Sequence, residues 1–475
     1  MSRPGIRPAA VTAAFGAALA LACATVPEAV LAAAAAPAKP VLERSVLKNG
    51  LTSYRLERAG LPLVQMQLLI PAGGTADPAG KEGLAALTAR LLSRGSAGRT
   101  AAAFAEEVEF LGGSLQADAG LDRTLIAGEF AARDFEAGLA LLAGMVRKPA
   151  FDAAEFARER DLLAASRDAE LDDTGGLASE ALARALFAGH PYARPVDGFR
   201  PSLRRLTRED VVAWHARRFQ PGEASLALVG PIDGARARRA IERAFGDWKR
   251  GAPADQRPPE IPVVRGRAVL LVDKPEATQS QIRIGQKTVP RTDPAWPALS
   301  AANAVLGSGF SSWLNDEIRV KRGLAYGIAS RLVSRRVGAA FEVITATRND
   351  KAEETVGLAL DLVGRMHRAD LAEADLDRAR NYLSGLFPLR IESPDALATT
   401  ILERPLLGLD PKGYAAFPEE LRAVRLEAAK EAARRGIPGD SAAIVVVGPA
   451  SVLKEPLAKF GPVTVRPAAW VVDGD

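Results

Sequence analysis

Apolar residues recur along this chain with two different spacings, and these spacings predict strands interleaved with helices. Lys48-Asn49-Gly50 has the composition of a hairpin turn between two runs that alternate apolar and polar residues. Strands that follow one another through short turns indicate an α+β fold rather than a doubly wound parallel sheet. In the first half the predicted strands are Val64–Ile70, Leu115–Ala119 and Arg123–Phe130, and the predicted helices are Leu84–Leu92, Ala101–Leu111, Asp134–Val146, Ala153–Ala169 and Gly176–Phe187.

The second half repeats the scheme of the first at a nearly constant offset, which indicates an internal duplication. The strand-like run ASLALVGP at Ala224–Pro231 returns as AAIVVVGP at Ala442–Pro449. Thr75–Ala79 returns at almost the same offset as Thr292–Ala295. A stretch between the halves contains four prolines and no apolar periodicity, which is typical of an extended linker. We therefore predict an N-terminal domain over 41–250, a linker over 251–262 and a C-terminal domain over 263–475.

One stretch of the second half, Leu306–Tyr326 (LGSGFSSWLNDEIRVKRGLAY), combines a glycine-bracketed turn, a short helix and a strand. The helix is predicted to begin near Ser311 and to end at Gly323, where glycine adopts a left-handed cap with little strain. The strand is predicted over Leu324–Ser330. The residues of the turn are Gly307, Ser308 and Gly309.

Arg319 falls in the last turn of this helix, and Tyr326 falls on the strand that leaves it. A tight turn can bring the guanidinium and the phenol to one place, where both act as hydrogen-bond donors. There is also a purely structural interpretation. An arginine near a helix C-terminus is favoured by the helix dipole, and Tyr326 could fill the core.

The stretch resembles the second half of the insulinase/pitrilysin zinc metallopeptidases. Bacterial and mitochondrial members carry a glycine-rich turn, a helix that ends in Glu-Ile-Arg, and the sequence Lys-Arg-Gly-Leu-Ala-Tyr. The resemblance runs through nearly all of 41–465 and implies two homologous domains, each a mostly antiparallel sheet backed by helices. It also implies that Arg319 and Tyr326 reach the scissile peptide and that the turn residues Gly307, Ser308 and Gly309 bind substrate. Trp313 replaces a common arginine of the family.

Family members bind zinc through H-x-x-E-H on the first long helix and a further Glu on a later helix. The frame around this motif is intact here, but Ala86 and Arg90 stand at the histidine positions and Ala89 at the catalytic glutamate. Ser166 stands at the last ligand position. Alanine has no lone pair to offer, and arginine is a cation without an acceptor. The sequence therefore predicts no metal and no other cofactor in this chain.

The pattern resembles the non-catalytic subunit of two-chain members, in which one chain brings zinc and the other brings the arginine and tyrosine. It implies a zinc-bearing homologous partner, and a closed chamber that favours unfolded peptides as substrates. Two alternatives stay open, a catalytically inert peptide-binding or assembly protein and a pseudoenzyme that forms a homodimer.

Composition restricts the partners further. The 62 basic residues nearly cancel the 57 acidic residues, leaving a net charge of +5, and 48% of the chain is hydrophobic. There is no long basic block and no interleaving of basic with aromatic residues, so nucleic acid is not an expected partner.

The first residues have the layout of a secretory signal. Arg3 and Arg7 precede a short apolar run, Ala9–Cys23, and small residues continue to Ala36. We predict a signal peptide over 1–36 and a periplasmic or secreted protein. Cys23 is the only cysteine, so cleavage near Ala36 leaves a chain without disulfides. The alternatives are a lipoprotein acylated at Cys23 and a retained membrane anchor.

Overall fold

The computed structural model of this chain describes residues 41–251 and 257–474. The strands are β1 (Leu42–Val46), β2 (Thr52–Glu57), β3 (Leu63–Ile70), β4 (Ser114–Ala119), β5 (Thr124–Ala131), β6 (Ser225–Gly230), β7 (Arg267–Asp273), β8 (Gln279–Thr288), β9 (Ile328–Ser334), β10 (Ala339–Arg348), β11 (Ala442–Gly448) and β12 (Val463–Pro467). The predicted signal peptide and the possible acylation site at Cys23 lie outside the described residues.

The α-helices of the first half are α1 (Leu84–Leu92), α2 (Ala101–Phe110), α3 (Phe135–Arg147), α4 (Ala153–Ala169), α5 (Thr174–Leu186), α6 (Arg200–Arg205), α7 (Arg208–Arg218) and α8 (Gly234–Phe245). Those of the second half are α9 (Trp296–Asn303), α10 (Ala352–His367), α11 (Glu373–Arg390), α12 (Pro394–Leu406), α13 (Phe417–Arg422), α14 (Leu426–Gly436), α15 (Ala450–Leu457) and α16 (Ala468–Asp473). No helix within 41–251 or 257–474 is long and apolar enough to cross a membrane.

The strands form two six-stranded sheets with matching topology. The first has the order β1-β2-β6-β3-β5-β4, and the second has the order β12-β7-β11-β8-β10-β9. In the first sheet only β2 and β6 pair in parallel, whereas β7 pairs in parallel with both β11 and β12 in the second. The remaining pairs are antiparallel, which confirms the predicted α+β fold with two mostly antiparallel sheets.

The two halves exchange helices. The α5 helix belongs to the first half in sequence, yet its apolar face packs on the second sheet, where Leu177 and Leu182 lie in one cluster with Val445 and Val447. The α12 helix belongs to the second half and packs on the first sheet, where Ile401 meets the strands. Each sheet is therefore covered on one face by helices of its own half and on the other by a helix of the opposite half.

Part of the predicted linker is bound to the first half. The Pro259 carbonyl oxygen lies 2.9 Å from His190 Nε2, and Ile261 is buried in the same apolar cluster as α5. Residues 257–262 contain no helix or strand, as expected for this segment. The domain borders themselves stay predictions, because the exchanged helices cross them.

A polar contact fixes α12 on the first sheet. Gln65 and Gln67 are buried on β3, and their side-chain amides donate hydrogen bonds to the Asp395 carboxylate at 3.1 and 2.7 Å. Thr399 donates to Gln67 Oε1 at 3.0 Å. Buried amides need such partners because an unsatisfied donor loses its hydration without replacement.

We expect Asp395→Ala to lower the free energy of unfolding by about 1–3 kcal/mol, because it removes the acceptor of buried amides. Denaturant unfolding at neutral pH measures this change. Asp350→Ala is the matched control, because Asp350 is exposed and forms an ion pair with the exposed Arg348. That variant should stay within roughly 0.5 kcal/mol of the parent protein. Equal losses in the two variants would contradict this role for Asp395.

Candidate active-site pocket

A cavity of about 500 Å³ opens at the edge of the second sheet, and we call it the Arg319 pocket. It is built from the start of β8, the start of β9, the middle of β10 and the helical segment between α9 and β9. The structure brings together in its wall all five residues that the sequence singled out, namely Gly307, Ser308, Gly309, Arg319 and Tyr326.

The turn at the back of the pocket requires glycine. The α9 helix continues into a π-helical turn, Ala304–Ser308, and Gly307 is buried there. A Cβ on Gly307 would lie 2.5 Å from Ser330 Oγ and 2.6 Å from Ser330 N, which is closer than real contacts allow. The Asn315 side chain then joins three segments, because its amide donates to the carbonyl oxygens of Gly309 and Ile328 at 3.2 and 2.8 Å.

Arg319 lies in a π-helical segment, Asn315–Lys321, and points toward aromatic side chains. Its guanidinium carbon is 5.0 Å from the ring centre of Phe310 and 5.6 Å from that of Tyr326. The neighbouring Glu317 carboxylate pairs with Lys321 and Arg322. Within the described part of the chain no carboxylate pairs with Arg319, so its donors remain available to a ligand.

Tyr326 does not fill the core. Its side chain is 94% exposed, and it precedes the strand instead of lying on it. The predicted strand Leu324–Ser330 was wrong, because β9 runs over Ile328–Ser334. The start is delayed because Leu324 is held in a turn: its N–H donates to the Ile318 carbonyl oxygen at 2.9 Å, and its own carbonyl oxygen accepts from Thr347.

Three residues that line the pocket were not identified from the sequence. Phe310 and Tyr382 add exposed aromatic surface, and Arg283 projects from β8. Arg283 is buried, and burial lowers the pKa of its guanidinium. It is held by the first half of the chain, since it donates to the Gly175 carbonyl oxygen at 3.0 Å and to Ser179 Oγ at 3.2 Å. An isolated arginine in a strand gives no sequence signal for this arrangement.

The positions that correspond to the zinc site lie on α1 and α4, and an ion cluster joins these helices. Glu159 on α4 is only 1% exposed. Its carboxylate lies 2.8 Å from Arg94 Nε, 3.0 Å from an Arg158 nitrogen and 4.0 Å from an Arg90 nitrogen. Guanidinium groups that surround a carboxylate repel a divalent cation from it.

The remaining positions of the zinc frame have no ligating capacity. Ala86 and Ala89 are buried methyl groups, and the Ser166 hydroxyl donates to the Leu163 carbonyl oxygen at 2.8 Å. Over residues 41–251 and 257–474 there is no group of three His, Cys, Asp or Glu side chains placed to hold a metal ion. The residues present do not fit zinc.

The duplicated sheets and the altered H-x-x-E-H frame define a metallopeptidase-type fold whose own zinc frame is incomplete. Residues 56–198 match the family described as "Insulinase (Peptidase family M16)", and residues 205–383 match the one described as "Peptidase M16 inactive domain". These two matches together cover most of the chain. The chain belongs to the insulinase family of peptidases.

Relatives and solved structures agree with this assignment. An uncharacterized zinc protease of Mycobacterium leprae is 26% identical over 74% of this chain and 80% of its own length. The zinc protease PqqE of Helicobacter pylori is 24% identical over 76% of this chain and 82% of its own. The crystal structure of a peptidase M16 inactive domain from Pseudomonas fluorescens superposes with a TM-score of 0.81 at 26% identity, covering 86% of this chain and 98% of that one.

The purified chain should hold far less than one zinc ion per molecule and should cleave no peptide alone, because the four positions of the frame carry Ala86, Ala89, Arg90 and Ser166. Elemental analysis after dialysis against a zinc-containing buffer measures the stoichiometry, with an intact H-x-x-E-H homologue as the positive control. One tightly held zinc ion together with chelator-sensitive cleavage would overturn this prediction.

Proposed function

We propose that this chain is the non-catalytic subunit of a secreted heterodimeric zinc metallopeptidase. A homologous partner supplies the zinc site, and this chain supplies Arg319 and Tyr326 to the scissile peptide. The observation that carries the proposal is the contrast between the two sites. Alanine and an Arg–Glu cluster stand in the zinc frame, whereas Arg319 has no carboxylate partner among the described residues and lies beside the exposed Tyr326.

The chemistry assigned to the pair is stabilisation of negative charge. When a peptide bond is hydrolysed, charge develops on its carbonyl oxygen, and preorganised donors at that oxygen lower the barrier. The Arg319 guanidinium and the Tyr326 hydroxyl are both donors. Contact with the Phe310 ring holds the guanidinium at the wall of the pocket.

The substrate class follows from the position of the pocket. It opens beside β9, which is the last strand of the second sheet. An edge strand presents backbone N–H and C=O groups that an extended peptide can pair with. A folded substrate cannot offer such a segment, so unfolded peptides are the proposed substrates. Secretion is part of the proposal because residues 1–36 run from basic to apolar to small residues, in the order typical of a secretory signal.

A catalytically inert peptide-binding or assembly protein is the second candidate. The exposed aromatic side chains of Phe310, Tyr326 and Tyr382 around one cavity favour it, because such a surface can bind a peptide without any chemistry. The two functions differ in what the donors of Arg319 and Tyr326 contribute to turnover.

In the heterodimer reconstituted with a zinc-bearing homologue, Arg319→Ala should lower kcat about 100- to 1000-fold, the usual effect of removing one oxyanion donor. Tyr326→Phe should act in the same direction. The KM should change less, because the donors matter most once charge has developed on the carbonyl oxygen. Arg319→Lys should restore little activity, because an ammonium cannot reproduce the planar fork of a guanidinium.

Arg322→Ala is the matched control, since Arg322 lies close by in sequence and pairs with Glu317 on the surface. Its activity should stay near that of the parent complex, and all variants should keep the same assembly and zinc content. If the Arg319 and Arg322 variants are equally active, the pair has no catalytic role and the second candidate is favoured.

A further inference from the structure

A second cavity, of about 390 Å³, lies next to the Arg319 pocket, and we call it the arginine cavity. The two cavities share Ser308 in their walls. The lining of the arginine cavity includes no aspartate or glutamate, but it includes four arginines, Arg291, Arg331, Arg390 and Arg404. Such an excess of one charge in a partly enclosed space is unfavourable unless something neutralises it.

Arg291 is the most enclosed of the four. Its guanidinium carbon lies 5.2 Å from the ring centres of both Trp296 and Phe417. Burial, followed by the charge of Arg404, lowers the pKa of Arg291 to about 10, so the group remains charged at neutral pH. The aromatic rings hold the guanidinium in place but provide no hydrogen-bond acceptor in its plane.

Arg404 and Arg390 add two further positive charges to the wall of the arginine cavity. Arg404 donates through Nε to the Asp410 carbonyl oxygen at 2.6 Å, and burial lowers its pKa. Arg390 reaches the cavity from the end of α11. Among the described residues no carboxylate forms an ion pair with these two arginines or with Arg291. Glu420, which lines a neighbouring cavity together with Arg291 and Arg404, partly offsets the charge of both, and Asp410 partly offsets that of Arg404.

The fourth arginine of the cavity, Arg331, differs from the other three because a carboxylate neutralises its charge. Arg331 lies 2.7 Å from the Glu342 carboxylate on the neighbouring strand. Stacking on aromatic rings explains the position of Arg291, but it does not explain why three guanidinium groups that lack an ion-pair carboxylate among the described residues converge on one cavity. An anion bound between them does, because guanidinium groups pair with carboxylates through two parallel hydrogen bonds.

We infer that the arginine cavity is a subsite for a carboxylate of the peptide that binds in the Arg319 pocket. This inference rests on the proposed function, in that it takes the Arg319 pocket to bind peptides. Because Ser308 lines both cavities, an extended peptide whose backbone lies along β9 can direct a side chain or its end past Ser308 toward Arg291. The proposed substrates are therefore peptides that carry a carboxylate at the position that reaches this cavity. The carboxylate belongs either to an acidic side chain or to the peptide C-terminus.

The test measures binding to the isolated chain, so it does not depend on the zinc-bearing partner. Fluorescent, unstructured peptides of equal length are compared by anisotropy, with glutamate or glutamine scanned through successive positions. A second series compares a free with an amidated C-terminus. We expect one glutamate position, or the free C-terminus, to tighten binding roughly tenfold, as for a hydrogen-bonded charge pair that is partly hydrated.

Arg291→Gln and Arg404→Gln should each abolish most of that preference and leave the affinity for the glutamine peptide nearly unchanged. Arg390→Gln should also reduce the preference for the carboxylate. Because Arg390 is exposed, this variant should fold even if substitutions at the more enclosed Arg291 and Arg404 do not. The matched control is Arg133→Gln, which removes the same charge at an exposed site on the first half, where Arg133 pairs with Asp134. It should keep the full preference.

Equal affinity of the parent chain for acidic and neutral peptides would overturn this inference and leave the proposed function standing. A preference that survives all three cavity variants would overturn it as well. If inorganic phosphate binds with a dependence on Arg291 while peptides show no preference, the cavity takes a free anion and the inference is wrong. A carboxylate preference with fully active Arg319 variants in the heterodimer would instead refute only the catalytic role.

Discussion

The fold depends on covering both faces of two sheets, and each half of the chain lacks the helix that covers its own second face. The α5 helix of the first half covers the second sheet, and the α12 helix of the second half covers the first sheet. Apolar strand residues left exposed on one face would cost about 25 cal/mol for every Å² in contact with water. The two halves are therefore folded as one body, although the sequence repeats as two.

The exchanged α5 helix also contacts a residue that lines the Arg319 pocket. Arg283 lines the pocket from the second sheet, yet its guanidinium is held by the Gly175 carbonyl oxygen and the Ser179 hydroxyl on α5. A buried arginine without such acceptors would be strongly unfavourable. The same guanidinium also donates to the Ile282 and Thr345 carbonyl oxygens of the second half, so both halves of the chain position this wall of the pocket.

The sequence was sufficient for the local elements and for the repeat, because apolar spacing directly reports which residues face a core. It located Leu84–Leu92 without error and grouped Arg319 with Tyr326 through a helix that ends at Gly323 and through the resemblance of this stretch to the insulinase family. It could not show which sheet α5 and α12 would cover, since an apolar helix face fits either. Phe310 and Tyr382 escaped notice for a related reason: an aromatic residue becomes part of a pocket only through the fold.

The Arg–Glu cluster on α1 and α4 explains how the frame of a metal site can persist without its metal. A zinc ion joins the helices that carry its ligands, and losing it leaves those helices without that link. Here the Glu159 carboxylate forms ion pairs with Arg94, which follows α1, and with Arg158, and it faces Arg90 on α1, so organic cations are found at the place where a zinc ion would link the helices. Since each arginine is partly hydrated, the link costs less desolvation than a fully buried pair. The first half can thereby keep the fold of the family although its zinc frame is incomplete.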